Sequence, residues 1–469
     1  MNQSWETVIG IEVHVELNTK TKMFCRCSAQ YFGKAPNTSI CPVCLGLPGA
    51  TPYINEEVIK KCIQIGLALN CSINDESSYF ERKNYFYPDL PKGYQISQLV
   101  KPLCINGWLM VTGDDGKEIK IRINRAHQEE DTAKLVHQFG MSNVKSQISN
   151  EKDGTGIDFN RSGVPLTEIV TEPDFRDSSQ VKDYAKKLQQ IFRYIGVSNA
   201  DMEKGDMRLE ANVSVRPITP GSQASPGVRE LPNYRVELKN INSFRFMTAA
   251  IEYEVKRQIE ALEKGEKLTQ ETRGWNQDKK ETYLQRSKED AHDYRYFPEP
   301  DLPELQIRSK DWYIGTSVDQ IREEMPELPA EKLVRFQEEY RLNKGQAIFL
   351  VDSRVMADYF EKAVDVGKTQ EVTPIQIANH IINKKVSNES VSVEDLLSEI
   401  TSKGSGMISD QGELEKICQE AIAENDKAVS DFKAGKENAL QVIIGAVMRK
   451  TSGKAEVAKV KEILERLLK

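Results

Sequence analysis

The sequence has no excess of positive charge. Its 64 lysines and arginines stand against 71 aspartates and glutamates, for a net charge of −7. That excludes a protein that coats nucleic acid indiscriminately; a polyanion would have to be met by a local basic patch. No apolar run approaches the roughly 18 residues of a membrane-spanning helix. The opening "MNQSWETVIGIEVHVEL" lacks the basic start, apolar core and cleavage site of a signal peptide. A cytoplasmic protein with no membrane partner is expected. Two phosphate-binding signatures are missing, G-x-x-x-x-G-K-[ST] and a G-x-G-x-x-G after a strand. So are a serine- and glycine-rich amidase region and a C-G-x-C nucleophile context. Any use of ATP must then run through a metal and carboxylates, and any ammonia that is incorporated must come from elsewhere.

What is present is an ordinary soluble composition, 39% hydrophobic and 29% charged, over 469 residues. That length suggests about two to four domains. Up to about residue 175 the chain is rich in period-two runs such as "TVIGIEVHVEL", "GWLMVTG" and "KEIKIRINRAH", with "TGDDGKEI" as a hairpin turn. Helical spacing predicts a helix in "NEEVIKKCIQIGLALN" and a serine-capped one in "SSQVKDYAKKLQQIFRYIG", with strands "LEANVSVRP" and "YRVELKNI" before a long helix from about Phe244 to Leu262. The fold class is α+β with a mostly antiparallel sheet. After the proline-rich "DYRYFPEPDLPEL", and from Pro329 on, the reading is helical, with a second break at "TSKGSGMISDQG". The expected segments are 1–300, 301–404 and 405–469. Val386 to Asp426 carries two basic and ten acidic residues, whereas Lys427 to Lys469 carries ten and five. The last helix should bury Val457, Val460, Ile463, Leu464 and Leu467 on one face.

Cys25, Cys27, Cys41 and Cys44 form a C-x-C and a C-x-x-C pair. Two such pairs suit tetrahedral Zn²⁺, and four thiolates leave no open position for catalysis, so the metal should be structural. The alternatives are four buried free thiols, or a Cys-His nucleophile using one of them. Cys62, Cys71, Cys104 and Cys418 sit in apolar patterns and read as core. In "GIEVHVEL", Glu12, His14 and Glu16 alternate with apolar residues, so a strand presents all three on one face. Further acidic groups occur at "HQEEDTAK" (His127, Glu129, Glu130, Asp131), at Glu210, and at Glu237 beside Lys239. Carboxylates converging from several strands could hold Mg²⁺ on nucleotide phosphates; a solvated polar face is the simpler alternative.

Seven motifs in one order, "GIEVHVEL", the cysteine segment ending "CPVCLGLPG", "KNYFYPDLPKGYQISQ", "EEDTAK", "DFNRSGVPLTEIVTEPDF", "VELKNINSFRF" and "DYRYFPEPDLP", resemble the B-subunit family of bacterial aspartyl/glutamyl-tRNA(Asn/Gln) amidotransferases. The resemblance runs to at least residue 303, and the C-terminal helices are similar to the tail of the same subunits, which is YqeY-like. The archaeal E subunits share the front half but carry a large inserted domain that this length does not allow.

The resemblance implies a glutamine-synthetase-like cradle, an all-α helical domain and a tRNA-binding tail. It also implies ATP-dependent phosphorylation of the side-chain carboxylate of Glu-tRNA(Gln) or Asp-tRNA(Asn), followed by amidation. The partners implied are an amidase A subunit, which supplies ammonia from glutamine, and a small C subunit, in a heterotrimer. By position in the motifs, Glu12, His14, Glu129 and Glu210 are the implied catalytic and Mg²⁺-binding residues. Asn84, Tyr85, Lys239 and Arg295 are the implied ATP or substrate contacts. Some relatives lack the four cysteines, which argues for a brace rather than a reaction centre. Two departures stand out. Glu210 occupies a place where the family usually has aspartate, and "PITPGSQASPGVRELPNY" is longer than the family's hairpin loop. Two other readings are a noncatalytic tRNA-binding scaffold and a stand-alone glutaminase using Cys44 and a histidine.

Overall fold

Alternation in the first strand organises the molecule. In β1 (Trp5–Glu16), Ile9, Ile11, Val13 and Val15 are fully buried while Glu12, His14 and Glu16 point the other way. The computed structural model describes residues 4–468 except 75, 137–154, 219–229, 288–292, 308–315, 387–389, 405–410, 434–435, 437, 452–454 and 456. It comprises two compact units, Met1–Leu328 and Pro329–Lys469.

The first unit carries the helices α1 (Glu56–Ala68), α2 (Ser178–Tyr194), α3 (Phe244–Glu263) and α4 (Val318–Glu323). Its strands after β1 are β2 (Ser72–Ile73), β3 (Glu81–Asn84), β4 (Tyr94–Ser97), β5 (Cys104–Thr112), β6 (Glu118–Glu130), β7 (Lys134–Val136), β8 (Gly156–Asp158) and β9 (Pro165–Thr171). They continue with β10 (Met207–Pro217), β11 (Val236–Ile241), β12 (Glu271–Asn276), β13 (Glu281–Ser287) and β14 (Phe297–Pro298). Nine form one sheet in the order β13-β12-β11-β10-β1-β9-β6-β5-β2, antiparallel except for the β11–β12 pair. The chain is thus α+β with a mostly antiparallel sheet, as its patterning suggests. The "TGDDGKEI" turn joins β5 to β6 with Gly116 at φ 75°, where a side chain would be strained.

Helices α1, α2 and α3 cover the apolar face of this sheet, and their buried residues join Ile9, Ile11, Val13 and Val15 in one core. Covering one face leaves the other to polar side chains. A three-stranded sheet, β14-β3-β4, contacts the end of β6. The cap of α2 differs from the expected serine. The side chain of Asp177, one residue earlier, accepts the Gln180 N–H at 3.0 Å, so Ser178 becomes the first helical residue. A carboxylate there also complements the helix dipole, which a hydroxyl does not.

The described residues of the second unit form helices and the turns between them. Helices α5 (Pro329–Glu339), α6 (Lys344–Val351), α7 (Arg354–Gly367), α8 (Pro374–Lys384) and α9 (Val393–Gly404) pack around Phe336 and Phe360, both fully buried. Helices α10 (Gln411–Ala423), α11 (Asp426–Lys433), α12 (Ala439–Lys450) and α13 (Val457–Leu468) share a core built on Leu414, Cys418, Ile443, Val447, Val460 and Leu464. Val457 is half exposed, so the buried face of α13 runs from Val460 to Leu468 instead of starting at the helix's first residue. The extended loop after Pro217 lies largely outside the described residues.

Candidate functional site

Register decides which polar residues meet on the uncovered face. His127 on β6 pairs with Glu168 on β9, Glu168 with His14 on β1, and His14 with Arg208 on β10. Side chains in one such row share a face and neighbour one another. One row along, Glu12 pairs with Glu210. The result is a patch in which donor atoms of Glu12, His14 and Glu210 lie within 4.8 Å of one another, as do those of His14, Glu129 and Glu168. Carboxylates from β1, β6, β9 and β10 therefore surround one imidazole.

The surroundings fix these groups. Asn212 donates to Glu12 Oε1 at 3.0 Å. Ser97 on β4 donates to Glu129 Oε1 at 2.8 Å, and Gln95 reaches Oε2 at 3.3 Å. Lys83 Nζ stands 3.9 Å from Glu129 and 5.1 Å from the ring centre of Tyr294. Lys239 Nζ bridges Glu210 at 2.8 Å and Glu237 at 3.2 Å. Tyr85 and Tyr294 meet edge to face above Lys83 and Glu129.

Charge in the patch is unevenly met. Burial raises the Glu12 carboxyl, and the charges of Glu168 and Glu210 raise it further. Burial works against an ionised Glu129 too, but Lys83, His127 and His14 outweigh it and hold the carboxyl well down. Burial would lower His14; its hydrogen bond to Glu129 and the charges of Glu168 and Glu210 instead push it up to about 9. A site that raises both an acid and an imidazole has too little positive charge for its carboxylates. The donor set, carboxylate oxygens and an imidazole on the sheet face that the helices leave uncovered, therefore suits a divalent cation.

The GatB/GatE catalytic domain matches residues 7–313, and the GatB domain matches residues 340–468. The chain belongs to the GatB family. It is 42% identical to the aspartyl/glutamyl-tRNA(Asn/Gln) amidotransferase B subunit of Thermotoga sp. (strain RQ2), over 99% of each chain. It is 42% identical to the protein of the same name from Persephonella marina, over 99% of this chain and 100% of that one. It is also 40% identical to the B subunit numbered 2 of Clostridium acetobutylicum, over 99% of each.

Among the residues that the GatB-family resemblance singled out, Glu12, His14, Glu129 and Glu210 converge, and Lys239 sits at the edge of the same patch. The extra methylene of Glu210 still leaves its oxygen within reach of Glu12 and His14. Asn84 is placed as a brace: its amide donates to the carbonyls of Arg82, Tyr294 and Arg295. Arg295 is exposed, with φ 41°. Sequence reading did not single out Glu168 or Lys83, and left His127 unplaced. Glu168 lies inside a quoted motif but acquires meaning only from the β1–β9–β6 register. The run Glu129-Glu130-Asp131 splits up in space. Glu130 accepts the Ile96 N–H at 2.9 Å and pairs with Lys92, while Asp131 pairs with Arg208 and lies 3.6 Å from Arg161.

The four clip cysteines are free thiols whose sulfurs lie within 4.8 Å of one another. Tetrahedral thiolate coordination needs sulfur separations of about 3.8 Å, so a small contraction would close the site around an ion. The hydrogen bond from Cys25 and the Lys22 ammonium pull the Cys44 thiol down to about 5. Cys62, Cys71, Cys104 and Cys418 are buried, in keeping with their apolar patterns. No helix among the described residues is long and apolar enough to cross a membrane.

Proposed function

We propose that this chain is the synthetase subunit of a tRNA-dependent amidotransferase. It phosphorylates the side-chain carboxylate of Glu-tRNA(Gln), Asp-tRNA(Asn) or both with ATP, then amidates it. The observation that carries the reading is the convergence of Glu12, Glu129, Glu168 and Glu210 around His14, in a chain that spans 99% of the amidotransferase B subunits it matches.

A carboxylate is a poor acyl donor. In the first step one of its oxygens attacks the γ-phosphorus, ADP leaves, and an acyl phosphate forms. In the second, ammonia adds at the acyl carbon, phosphate leaves with the C–O electron pair, and a proton is lost to give the neutral amide. Phosphoryl transfer is mainly positioning and charge neutralisation. Glu12, Glu129, Glu168 and Glu210 would hold Mg²⁺, which when bound offsets phosphate charge. Lys83 and Lys239 add fixed ammonium groups beside the same carboxylates, and Tyr85 and Asn84 shape the wall above them. Arg295, exposed between the half-buried Tyr294 and Tyr296, is proposed to meet phosphate or substrate from solvent. Imidazole is not a favoured Mg²⁺ ligand, so His14 serves through water or by orienting Glu129.

The A subunit is the proposed ammonia source, with the C subunit as its brace, in a cytoplasmic heterotrimer. Segment 1–300 is the proposed cradle, 301–404 the connector, and 405–469 the tRNA-binding tail. The four cysteines are assigned to a structural Zn²⁺.

The test is ATP turnover and amide formation by the A–B–C complex with each mischarged tRNA and glutamine. Glu12→Ala and Glu129→Ala should abolish acyl phosphate formation while tRNA still binds. Undiminished ATP use in both variants would instead make this chain a noncatalytic tRNA-binding scaffold.

A further inference from the structure

His127 stands on β6 two residues before Glu129, on the same face, and is 2% exposed. Its Nε2 lies 3.3 Å from Glu168 Oε2 and 3.6 Å from Glu129 Oε1. Its Nδ1 is buried with no hydrogen-bond partner among the described residues. The ring is therefore not tied to the scaffold through its second nitrogen; its polar contacts face the two carboxylates. A carboxylate oxygen only accepts, so the Nε2 that faces both acids must carry a proton: Glu168 is the nearer partner at 3.3 Å, and Glu129, at 3.6 Å, is held by charge more than by a hydrogen bond.

The two acids differ in their other support. Glu129 is held by Ser97 and Gln95 from β4. For the Glu168 side chain, the close polar contact among the described residues is the His127 imidazole at 3.3 Å. Without it, Glu168 would face the like-charged Glu129 with less opposite charge beside it.

We propose that His127 is a positioning residue: its protonated Nε2, facing Glu168 and standing beside Glu129, keeps two like-charged carboxylates together at the spacing a divalent cation requires. The cation then meets a preassembled pair and need not gather it. This inference rests on the metal reading of the site given above. Groups that orient ligating carboxylates change metal affinity without touching the metal.

The probe is Mn²⁺ binding to the full-length chain, followed by electron paramagnetic resonance, without ATP or tRNA. His127→Phe keeps the ring volume and removes the donor; it should weaken Mn²⁺ binding by about 10–100-fold. His127→Gln, whose amide nitrogen reaches the Nε2 position, should restore most of the affinity. His127→Asn, whose amide ends near the Nδ1 position, should not. Should His127→Phe fail to give a folded protein by circular dichroism, the contrast between Gln and Asn decides alone. Wild-type affinity in Phe or Asn, or a Gln variant as weak as Asn, would overturn the proposal. If the wild-type chain itself bound no Mn²⁺, the metal reading beneath it would fail instead.

Discussion

Lys22 is a fully buried lysine at the base of the cysteine clip, and replacing it with methionine tests whether the clip holds a metal through a charge-balanced shell. Its ammonium donates to the Ser39 carbonyl at 2.9 Å, reaches the Phe159 carbonyl at 3.4 Å and lies 3.6 Å from Cys44 Sγ. Four thiolates around Zn²⁺ carry a net charge of −2, so one nearby cation halves it. At 3.6 Å, with an effective dielectric constant of about 20, the attraction to one thiolate is about 4–5 kcal/mol. Keeping an ammonium out of water costs several kcal/mol in return. The net loss on removing the charge should therefore be about 1.5–3 kcal/mol, or about 10–100-fold in zinc affinity. Lys22→Met preserves most of the stem, so the change isolates the charge and the two bonds to carbonyls. The assay is zinc transfer from the full-length chain to a competing chelator. Lys22→Met should surrender zinc at about 10–100-fold lower chelator activity. Equal retention by both proteins would refute the argument, and a wild-type chain with no zinc would refute the clip.

Other consequences can be checked separately. Glu361 accepts from Lys332 at 2.7 Å and from Arg335 at 2.7 Å; although burial raises its carboxyl, these bonds hold it below the ordinary value of 4.5. A depressed carboxyl stabilises the fold above pH 4.5 and loses that contribution as pH falls through the folded value. Glu361→Gln should thus cost about 1–3 kcal/mol at pH 7 in urea unfolding, and the gap should close toward about pH 3; a gap that widens would reverse the sign of the argument. Phe360→Ala empties a fully buried site beside Phe336 and should destabilise the helical unit by about 3–5 kcal/mol in the same assay. Removing residues 405–469 should raise KM for tRNA while ATP use changes little, and added salt should weaken tRNA binding to the intact complex. Unchanged tRNA affinity after truncation would move the tail's role elsewhere.

The parts legible in the sequence were those written locally. Alternation in "GIEVHVEL" placed Glu12 and His14 on one face because a strand has period two, and helical spacing gave α1 and α3 close to their true limits. The site as a whole was not local. Its strands adjoin in the order β10-β1-β9-β6, so residues about 40 to 200 positions apart in the chain become neighbours. Glu168 looked like one acid among many until register set it between His14 and His127. Adjacency misled in the opposite direction: Glu129, Glu130 and Asp131 read as one acidic knot, yet the pleat and the end of β6 send them to different partners. Motif resemblance brought in residues that no pattern could rank.

The cysteine clip lies outside the acidic patch yet is tied to it by contacts. The Ser162 hydroxyl donates to the Cys44 carbonyl at 3.0 Å, and Asn160 accepts the Ser39 N–H at 2.7 Å, so the clip grips the loop that leads into β9. Gly163 in that loop has φ +84°, and a Cβ there would lie 3.5 Å from Cys44 Cβ and 3.9 Å from Glu130 Oε2. Its N–H bonds the Asp131 carbonyl at 2.9 Å, tying the same loop to the end of β6. Clip, loop, β9 and β6 are thus linked in one chain of contacts that ends at Glu168 and Glu129. Loss of the metal would loosen the start of β9 before it altered any carboxylate directly, so the expected signature is weaker cation binding at an otherwise intact acidic patch. A clip that served only to grip tRNA would leave Mn²⁺ affinity the same in the zinc-loaded and the chelator-treated chain.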